Sequence, residues 1–265
     1  MLVEHPAAWG PKAFPDERLP ASIQRALRQK VRSYPNGRPL LIRQQHPQRS
    51  RPELQGFLVH SREQNPQTFR LRGNSYEELL RCEPEPWTQP LYLVCTHGTH
   101  DKCCAKFGFA TYCATRELAS ESVWECSHVG GDRFAGNVIC LPHGIYYGNV
   151  FAEDTPDIVE AYGRKQLSLK HYRGRSCYPR LAQVGEYFIR SEAGIPGIED
   201  LELLEASELE SGFAQVRFNG AGTDRIFEVE FRLSTGSFPQ FVTCAALKPQ
   251  TVSQFELTNY RQCRR

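Results

Sequence analysis

Cysteine and histidine are concentrated in one short stretch of this chain. Six of its ten cysteines and four of its eight histidines lie between Cys95 and His143, within 49 of the 265 residues. Thiolate and imidazole are the donors that soft and borderline metals prefer, so this enrichment is typical of a metal or cluster site. A redox-active thiol site is the main alternative explanation of the same pattern. The remaining cysteines are scattered singly, at Cys82, Cys177, Cys244 and Cys263.

The spacing of the enriched residues predicts a four-ligand set at two neighbouring corners of a sheet. Cys95 ends an apolar run that predicts a buried strand, and Cys104 falls in the first turn of the next predicted helix. His128 directly follows the second predicted strand, and Asp132 comes four residues later, after two glycines that permit a tight backbone turn. Strand ends of this kind meet at one edge of an α/β sheet. Because a helix N-terminus stabilises negative charge, Cys104 is predicted to be the best-activated thiol of the chain.

The elements that must position these residues predict an α/β protein. The order strand, helix, strand, hairpin, helix in the middle of the chain is the thioredoxin-like arrangement, and the alternating pattern after Gly194 predicts an antiparallel meander. The Pro-rich segment CEPEPWTQP is typical of a linker, with a boundary near residues 84–90. Helices are predicted at 21–33, 75–81, 102–118, after Thr155 and at 179–190, and strands at 39–43, 56–61, 68–72, 91–95, 123–127, 138–141, 145–150, 214–218, 225–232, 241–246 and 252–257.

Three domains follow from this order of elements. Residues 1–86 are predicted to form a smaller α/β domain, residues 87–194 the thioredoxin-like domain, and residues 195–265 a β-rich domain.

Charge and hydropathy exclude several classes of partner. With 32 basic and 30 acidic residues and a net charge of +2, the chain offers no reason to expect nucleic acid or a membrane surface as its partner. The start has no basic segment followed by an apolar one, and no apolar run is long enough to cross a membrane, so a cytoplasmic protein is expected. In that compartment thiols or metal ligands are expected rather than disulfides. A basic patch of Arg173, Arg175 and Arg180 is interpreted as solvated surface, with docking of an acidic redox partner as the alternative.

The motifs resemble those of a known family. The segments LVCTHGTHDKCCA and WECSHVGGDRFAGNVICLPHGIYYGNV, together with EHPAAWG, PLLIRQQ and RGRSCYPRLAQVGEYFIR, resemble the sucrase/ferredoxin-like family over roughly residues 2 to 194. Members of that family carry a thioredoxin-like ferredoxin domain that binds a [2Fe-2S] cluster through a C-x8-C pair and an H-x3-H pair. By position, the resemblance implies Cys95, Cys104 and His128 as ligands, whereas Asp132 stands where the family has its second histidine.

The resemblance implies a one-electron carrier rather than an enzyme, working with a redox partner protein whose identity the sequence does not give. The fourth ligand remains open: Asp132 ligates through its carboxylate, Cys126 or Cys103 turns inward as a third thiolate, or the site binds something other than a cluster. A zinc site is the first competing function, because two cysteines, a histidine and an aspartate satisfy tetrahedral coordination. A thiol-dependent oxidoreductase is less favoured, since the chain contains no C-x-x-C motif. No pair of carboxylates indicates glycoside hydrolysis.

Overall fold

Two β-sheets of different size organise the chain. The computed structural model describes residues 1–12, 14, 18–44, 53–244 and 246–264. Over these residues it is a mixed α/β structure with a ten-stranded sheet and a separate four-stranded antiparallel sheet. The strands are β1 (Leu2–Glu4), β2 (Leu40–Arg43), β3 (Leu54–His60), β4 (Gln67–Gly73), β5 (Glu85–Trp87), β6 (Leu91–Cys95), β7 (Val123–Cys126), β8 (Val138–Leu141), β9 (Ile145–Tyr147), β10 (Tyr172–Arg175), β11 (Leu201–Glu208), β12 (Phe213–Gly220), β13 (Arg225–Gln240) and β14 (Gln250–Arg264).

Five α-helices pack against these sheets. Among the helices that the structure describes, none combines the length and the hydropathy needed to span a bilayer. The helices are α1 (Ala21–Arg32), α2 (Tyr76–Arg81), α3 (Lys102–Ala119), α4 (Thr155–Gly163) and α5 (Arg180–Ala193).

The large sheet has the strand order β10-β9-β8-β6-β7-β2-β1-β3-β4-β5. Its neighbours are antiparallel except for β6 with β7 and β1 with β2, which are parallel. The β2–β7 pairing, through Ile42 opposite Cys126 and Arg43 opposite Glu125, joins the strands before residue 86 to those after it. The predicted N-terminal and middle domains therefore contribute to one continuous sheet, and the domain boundaries themselves stay a prediction.

The Pro-rich segment is not a linker, which corrects the sequence-based interpretation. Residues Glu85–Trp87 form β5 at the edge of the large sheet, with Trp87 opposite Thr68 of β4. An edge strand tolerates proline because one side of its backbone needs no ladder hydrogen bonds. The Trp87 ring also packs against Phe57 and lies under the Arg70 guanidinium, so this segment is anchored on the sheet.

Helix α3 lies unusually close to β6, and Gly108 is the reason. Asp101 caps the helix by accepting a hydrogen bond from the Cys103 N–H at 2.8 Å, as its position predicts. A β-carbon at residue 108 would lie only 2.0 Å from the carbonyl oxygen of Cys95. The glycine therefore does not break the helix; it lets the helix approach the end of the strand that carries Cys95.

The C-terminal sheet is an antiparallel meander in the order β11-β12-β13-β14, with α5 packed on one face. The prediction of a strand at 241–246 is wrong, since residues 241–244 and 246 belong to no strand and Ala245 lies outside the described residues. Instead β13 and β14 are long, and the connection between them occupies that segment. Strand β11 escaped prediction because its sequence, LELLEASE, lacks alternation and is rich in residues that favour helices.

Candidate metal centre

The C-terminal end of β6 and the N-terminal end of α3 bring two sulfur atoms together below the surface. Cys95 is the last residue of β6 and Cys104 lies in the first turn of α3, and the side chains of both are fully buried. Ligand atoms of Cys95, Cys104 and His128 all lie within 4.8 Å of one another. The corner predicted from the sequence therefore exists, and it joins two thiols to one imidazole.

His97 positions His128 through the backbone. The N–H of His128 donates to Nδ1 of His97 at 3.0 Å, and Nε2 of His97 lies 2.7 Å from the carbonyl oxygen of Gly10. Because a carbonyl oxygen only accepts, Nε2 carries the ring proton and Nδ1 supplies the lone pair. Burial lowers the pKa of His97, which favours this neutral form. Both ring nitrogens are thus occupied, so His97 is a positioning residue and not a ligand.

Asp132 reaches the same centre from the loop that follows β7. Its Oδ1 lies 3.1 Å from Nδ1 of His128 and 3.9 Å from Sγ of Cys104. Gly130 and Gly131, both at positive φ, turn the loop back so that Asp132 faces the cysteines. Nδ1 of His128 is buried and, within the described residues, lacks a hydrogen bond, because the contact with Asp132 does not have hydrogen-bond geometry.

His100 also faces this centre, although the sequence does not place it among the predicted ligands. Its ring stacks on the ring of His128 with 3.9 Å between the centroids, and its Nε2 lies 3.9 Å from Oδ1 of Asp132. Ligand atoms of His100, His128 and Asp132 lie within 4.8 Å of one another. The one feature that could have identified it is its place directly before the helix cap Asp101, in the loop between the two cysteines.

The tandem cysteines face in different directions. Cys104 points to Cys95, whereas Cys103 forms a disulfide with Cys244, in the connection between β13 and β14. Cys103 is therefore not the third thiolate that the sequence left open, and the expectation that the cysteines form no disulfides is wrong at this pair. Cys244 itself is exposed, so it is not part of the apolar core.

Cys126 stays a protonated thiol in the apolar core. It is fully buried in one cluster with Ile42, Trp124 and Val129, and burial raises its pKa well above the ordinary value. In the part of the chain that the structure describes, it belongs to none of the groups whose ligand atoms lie within 4.8 Å.

The pKa values of the two facing thiols move in opposite directions, because a hydrogen bond joins their sulfur atoms. The hydrogen bond from Cys104 outweighs burial and, with a further one from His128, holds the pKa of Cys95 well below its usual range. The same hydrogen bond, together with burial, raises the pKa of Cys104. Which of the two sulfurs carries the charge depends on this shared proton, so the activation of Cys104 stays a prediction. Burial alone would lower the pKa of His128, but the contacts with Cys95 and Asp132 reverse this and raise it.

Asn137 connects the backbone of Cys95 to the loop that contains Gly131. Its carbonyl oxygen accepts from the Cys95 N–H at 3.0 Å, and its side-chain amide donates to the carbonyl of Gly131 at 3.1 Å. Its Oδ1 accepts from the Arg173 guanidinium at 2.7 Å. The interpretation of a solvated basic patch is therefore wrong for Arg173 and Arg175. Through Asn137, Arg173 stabilises the loop that contains Gly131, and Arg175 is fully buried.

The donor atoms fit a metal or an iron–sulfur cluster. Two buried sulfurs, an imidazole with a buried nitrogen that has no hydrogen bond, a carboxylate and a second imidazole converge from two loops. Sulfur and imidazole suit zinc, copper or iron–sulfur clusters, whereas magnesium and calcium prefer sites built of oxygen.

Comparison with known proteins gives a family and one partial relative. The family model described as sucrase/ferredoxin-like matches residues 1–174. The protein "Altered inheritance of mitochondria protein 32" of Meyerozyma guilliermondii is 30% identical over 118 residues. The match covers 40% of this chain and 40% of that protein's length. No solved structure matches the chain. Since the family model covers more than half of its residues, this chain belongs to the sucrase/ferredoxin-like family.

Proposed function

We propose that this protein holds a [2Fe-2S] cluster at Cys95, Cys104 and His128 and that it carries single electrons between partner proteins. The observation that supports the proposal is the convergence of two buried sulfurs and one imidazole within 4.8 Å. The bound cluster would supply one-electron chemistry at a potential set by ligand type, hydrogen bonds and exposure.

The fold proposed for the cluster-binding part is the thioredoxin-like ferredoxin domain. Its support is the order β6, α3, β7, β8, β9, α4, with β6 parallel to β7 and antiparallel to β8. This order places both ligand-bearing loops at the same end of the sheet, after β6 and after β7.

The residues around the candidate ligands set their protonation and their exposure to water rather than take part in a reaction. His128 beside Cys95 favours the thiolate, which is the form that binds iron. The apolar cluster that contains both cysteines excludes water from the sulfur side. His100 and Asp132 stand toward the surface, with side chains 31% and 13% exposed, so an electron would leave through this side.

An electron carrier is favoured over an enzyme because the described residues around the centre either supply ligand atoms or position the residues that do. The redox partner protein remains unidentified, and a cytoplasmic location remains part of this proposal. The relative's name refers to the inheritance of mitochondria and says nothing about electron transfer.

Anaerobic purification tests the proposal. We expect a red-brown protein with two irons and two acid-labile sulfides per chain and an electron paramagnetic resonance signal after one-electron reduction. A colourless protein with one zinc per chain would instead support the competing zinc site, for which two cysteines, a histidine and an aspartate provide four ligands.

A further inference from the structure

Among the described residues, several side chains near the candidate centre are candidates for the fourth ligand of a cluster, and only some of them are suited to it. Cys103 is in a disulfide, and His97 uses both of its ring nitrogens. Asp132 and His100 remain, both within reach of His128.

Three consecutive backbone carbonyls contact the loop between Cys95 and Cys104, and two of them face its histidines. The carbonyl of Trp9 accepts from the Thr99 hydroxyl at 3.0 Å, and that of Gly10 faces His97 Nε2. The carbonyl of Pro11 lies 3.0 Å from Nδ1 of His100. The N-terminal segment therefore acts as a template that orients both imidazoles.

This template decides which nitrogen of His100 is available. Nδ1 faces a carbonyl oxygen, so it carries the proton, and the lone pair is on Nε2. Nε2 points to Asp132 Oδ1 at 3.9 Å, beside the stacked ring of His128. A histidine that donates one nitrogen to a backbone carbonyl and presents the other to a centre has the usual arrangement of a metal-bound histidine.

We propose that His100, through Nε2, is the fourth ligand of the cluster and that it replaces the histidine absent at position 132. This inference rests on the proposed function. Cys95, Cys104, His100 and His128 would then provide the two thiolates and two imidazoles of a Rieske-type ligand set. Imidazole is also the better donor here, because carboxylate oxygen suits harder cations. Asp132 would then lie beside the two imidazoles without binding iron.

Pulsed electron paramagnetic resonance of the reduced protein counts the nitrogens bound to iron. The wild type is expected to show two strongly coupled nitrogens and His100→Gln only one, while Asp132→Asn keeps both. His171→Gln is the matched control, since His171 contacts Asp154 away from this centre. Far-ultraviolet circular dichroism establishes that each variant is folded.

The double variant His100→Gln/Asp132→His makes the test decisive if the single variant loses its cluster. It returns an imidazole to position 132, so we expect two coupled nitrogens and the wild-type iron content. Loss of iron in folded His100→Gln with recovery in the double variant supports the proposal. A single nitrogen in the wild type, or two in His100→Gln, overturns it while the cluster itself stands. Wild-type protein without iron and sulfide refutes the proposed function instead.

Discussion

His97 and His100 lie three residues apart on one loop, yet the structure uses them in different ways. Both rings contact backbone carbonyls of the N-terminal segment, but only His97 also accepts from the backbone of the next ligand loop. The chemistry of a histidine is thus decided by what its second nitrogen meets. Spacing along the chain does not report this, because the N-terminal segment is distant in sequence.

Replacing His97 by Leu should weaken the centre without removing a ligand. The His128 N–H would lose its acceptor, and leaving a buried donor unpaired costs about 1–3 kcal/mol. We expect iron to pass to a chelator several times faster than in the wild type, as measured by absorbance, together with a lower free energy of unfolding. His171→Gln serves as the control. Unchanged release would mean that the loops hold His128 without His97.

Helix α3 offers a matched pair of cysteines for testing the ligands. Cys104 is buried against Cys95, whereas Cys113 is exposed on the same helix. Cys104→Ser should lose most of the bound iron and sulfide, since a hydroxyl is a poor substitute for a thiolate. Cys113→Ser should retain the wild-type content. Equal metal content in the two variants, determined by elemental analysis, would remove Cys104 from the site.

At the scale of single residues, the sequence predicts where the candidate site lies better than it predicts the role of each neighbouring residue. The corner formed by Cys95, Cys104 and His128 was predictable, because strand ends and helix starts converge at a sheet edge. The choice between Cys103 and Cys104 was not, since it depends on the exact start of α3. The pKa order of the thiols also depends on a contact between side chains and not on the helix dipole alone.

At the scale of elements, the Cys103–Cys244 disulfide ties the β13–β14 connection to the start of α3. Asp101 strengthens this link, because its two carboxylate oxygens accept from the N–H groups of Cys103 and Cys244, both at 2.8 Å. Arg133, in the glycine loop, contacts Gln240 at the end of β13. The C-terminal meander thereby touches both loops that carry candidate ligands.

Cys244→Ser should therefore lower the stability of the protein. A disulfide between residues 141 positions apart restricts the conformations of the unfolded chain. Its loss typically lowers the free energy of unfolding by about 2–4 kcal/mol. Chemical unfolding under non-reducing conditions measures the difference, with the exposed free thiol of Cys263→Ser as control. The unfolded, unreduced wild type should show eight thiols. Ten thiols would mean that the bridge is absent.

Helix α5 carries a fully buried ion pair that fixes the turn after it. Arg190 contacts Glu186 at 3.0 Å and also donates to the carbonyls of Ile195, Gly197 and Ile198. Glu186→Gln should cost about 3–5 kcal/mol, because it leaves a buried guanidinium without its counter-charge. Exposed Glu192→Gln on the same helix should cost far less. Equal unfolding free energies for the two variants would contradict this.

The helices were more predictable than the strands. The capping box at Ser75 and Glu78, the cap at Asp101 and the apolar stripe of α1 all lie within the chain segments that they stabilise. Strands β1, β5 and β10 have three or four residues each and show no alternation, so only their pairing partners make them strands.

At the scale of the whole molecule, one sheet connects the N-terminal template to the candidate centre. Strands β2 and β7 pair directly, and the Ser127 N–H donates to the Leu41 carbonyl at 2.8 Å. Gly10, which ends the motif EHPAAWG, and the following Pro11 therefore contact a loop almost ninety residues away. Local sequence patterns carry no information about pairing between distant strands, so they did not predict that strands from residues 1–86 and 87–194 share one sheet.

His143 gives the molecule a pH-dependent stability that has no connection with the candidate centre. It lies in the turn between β8 and β9, where polar residues are usually exposed, but its side chain is only 11% exposed. Nδ1 lies 2.7 Å from the Tyr162 hydroxyl. Burial, followed by the nearby Arg175 charge, lowers its pKa from 6.5 to about 4.

The sign of the effect follows from proton uptake. Between pH 6.5 and 4, His143 is protonated in the unfolded chain but neutral in the folded protein. The free energy of unfolding therefore falls as the pH decreases through this window. The shift corresponds to at most about 3 kcal/mol at the acidic end. The free energy of unfolding of His143→Gln should therefore decline less steeply than that of the wild type. The other histidines are common to both proteins, so their contributions cancel in the difference. Parallel curves from denaturant titrations across this window would show that His143 is protonated as readily in the folded state as in the unfolded one.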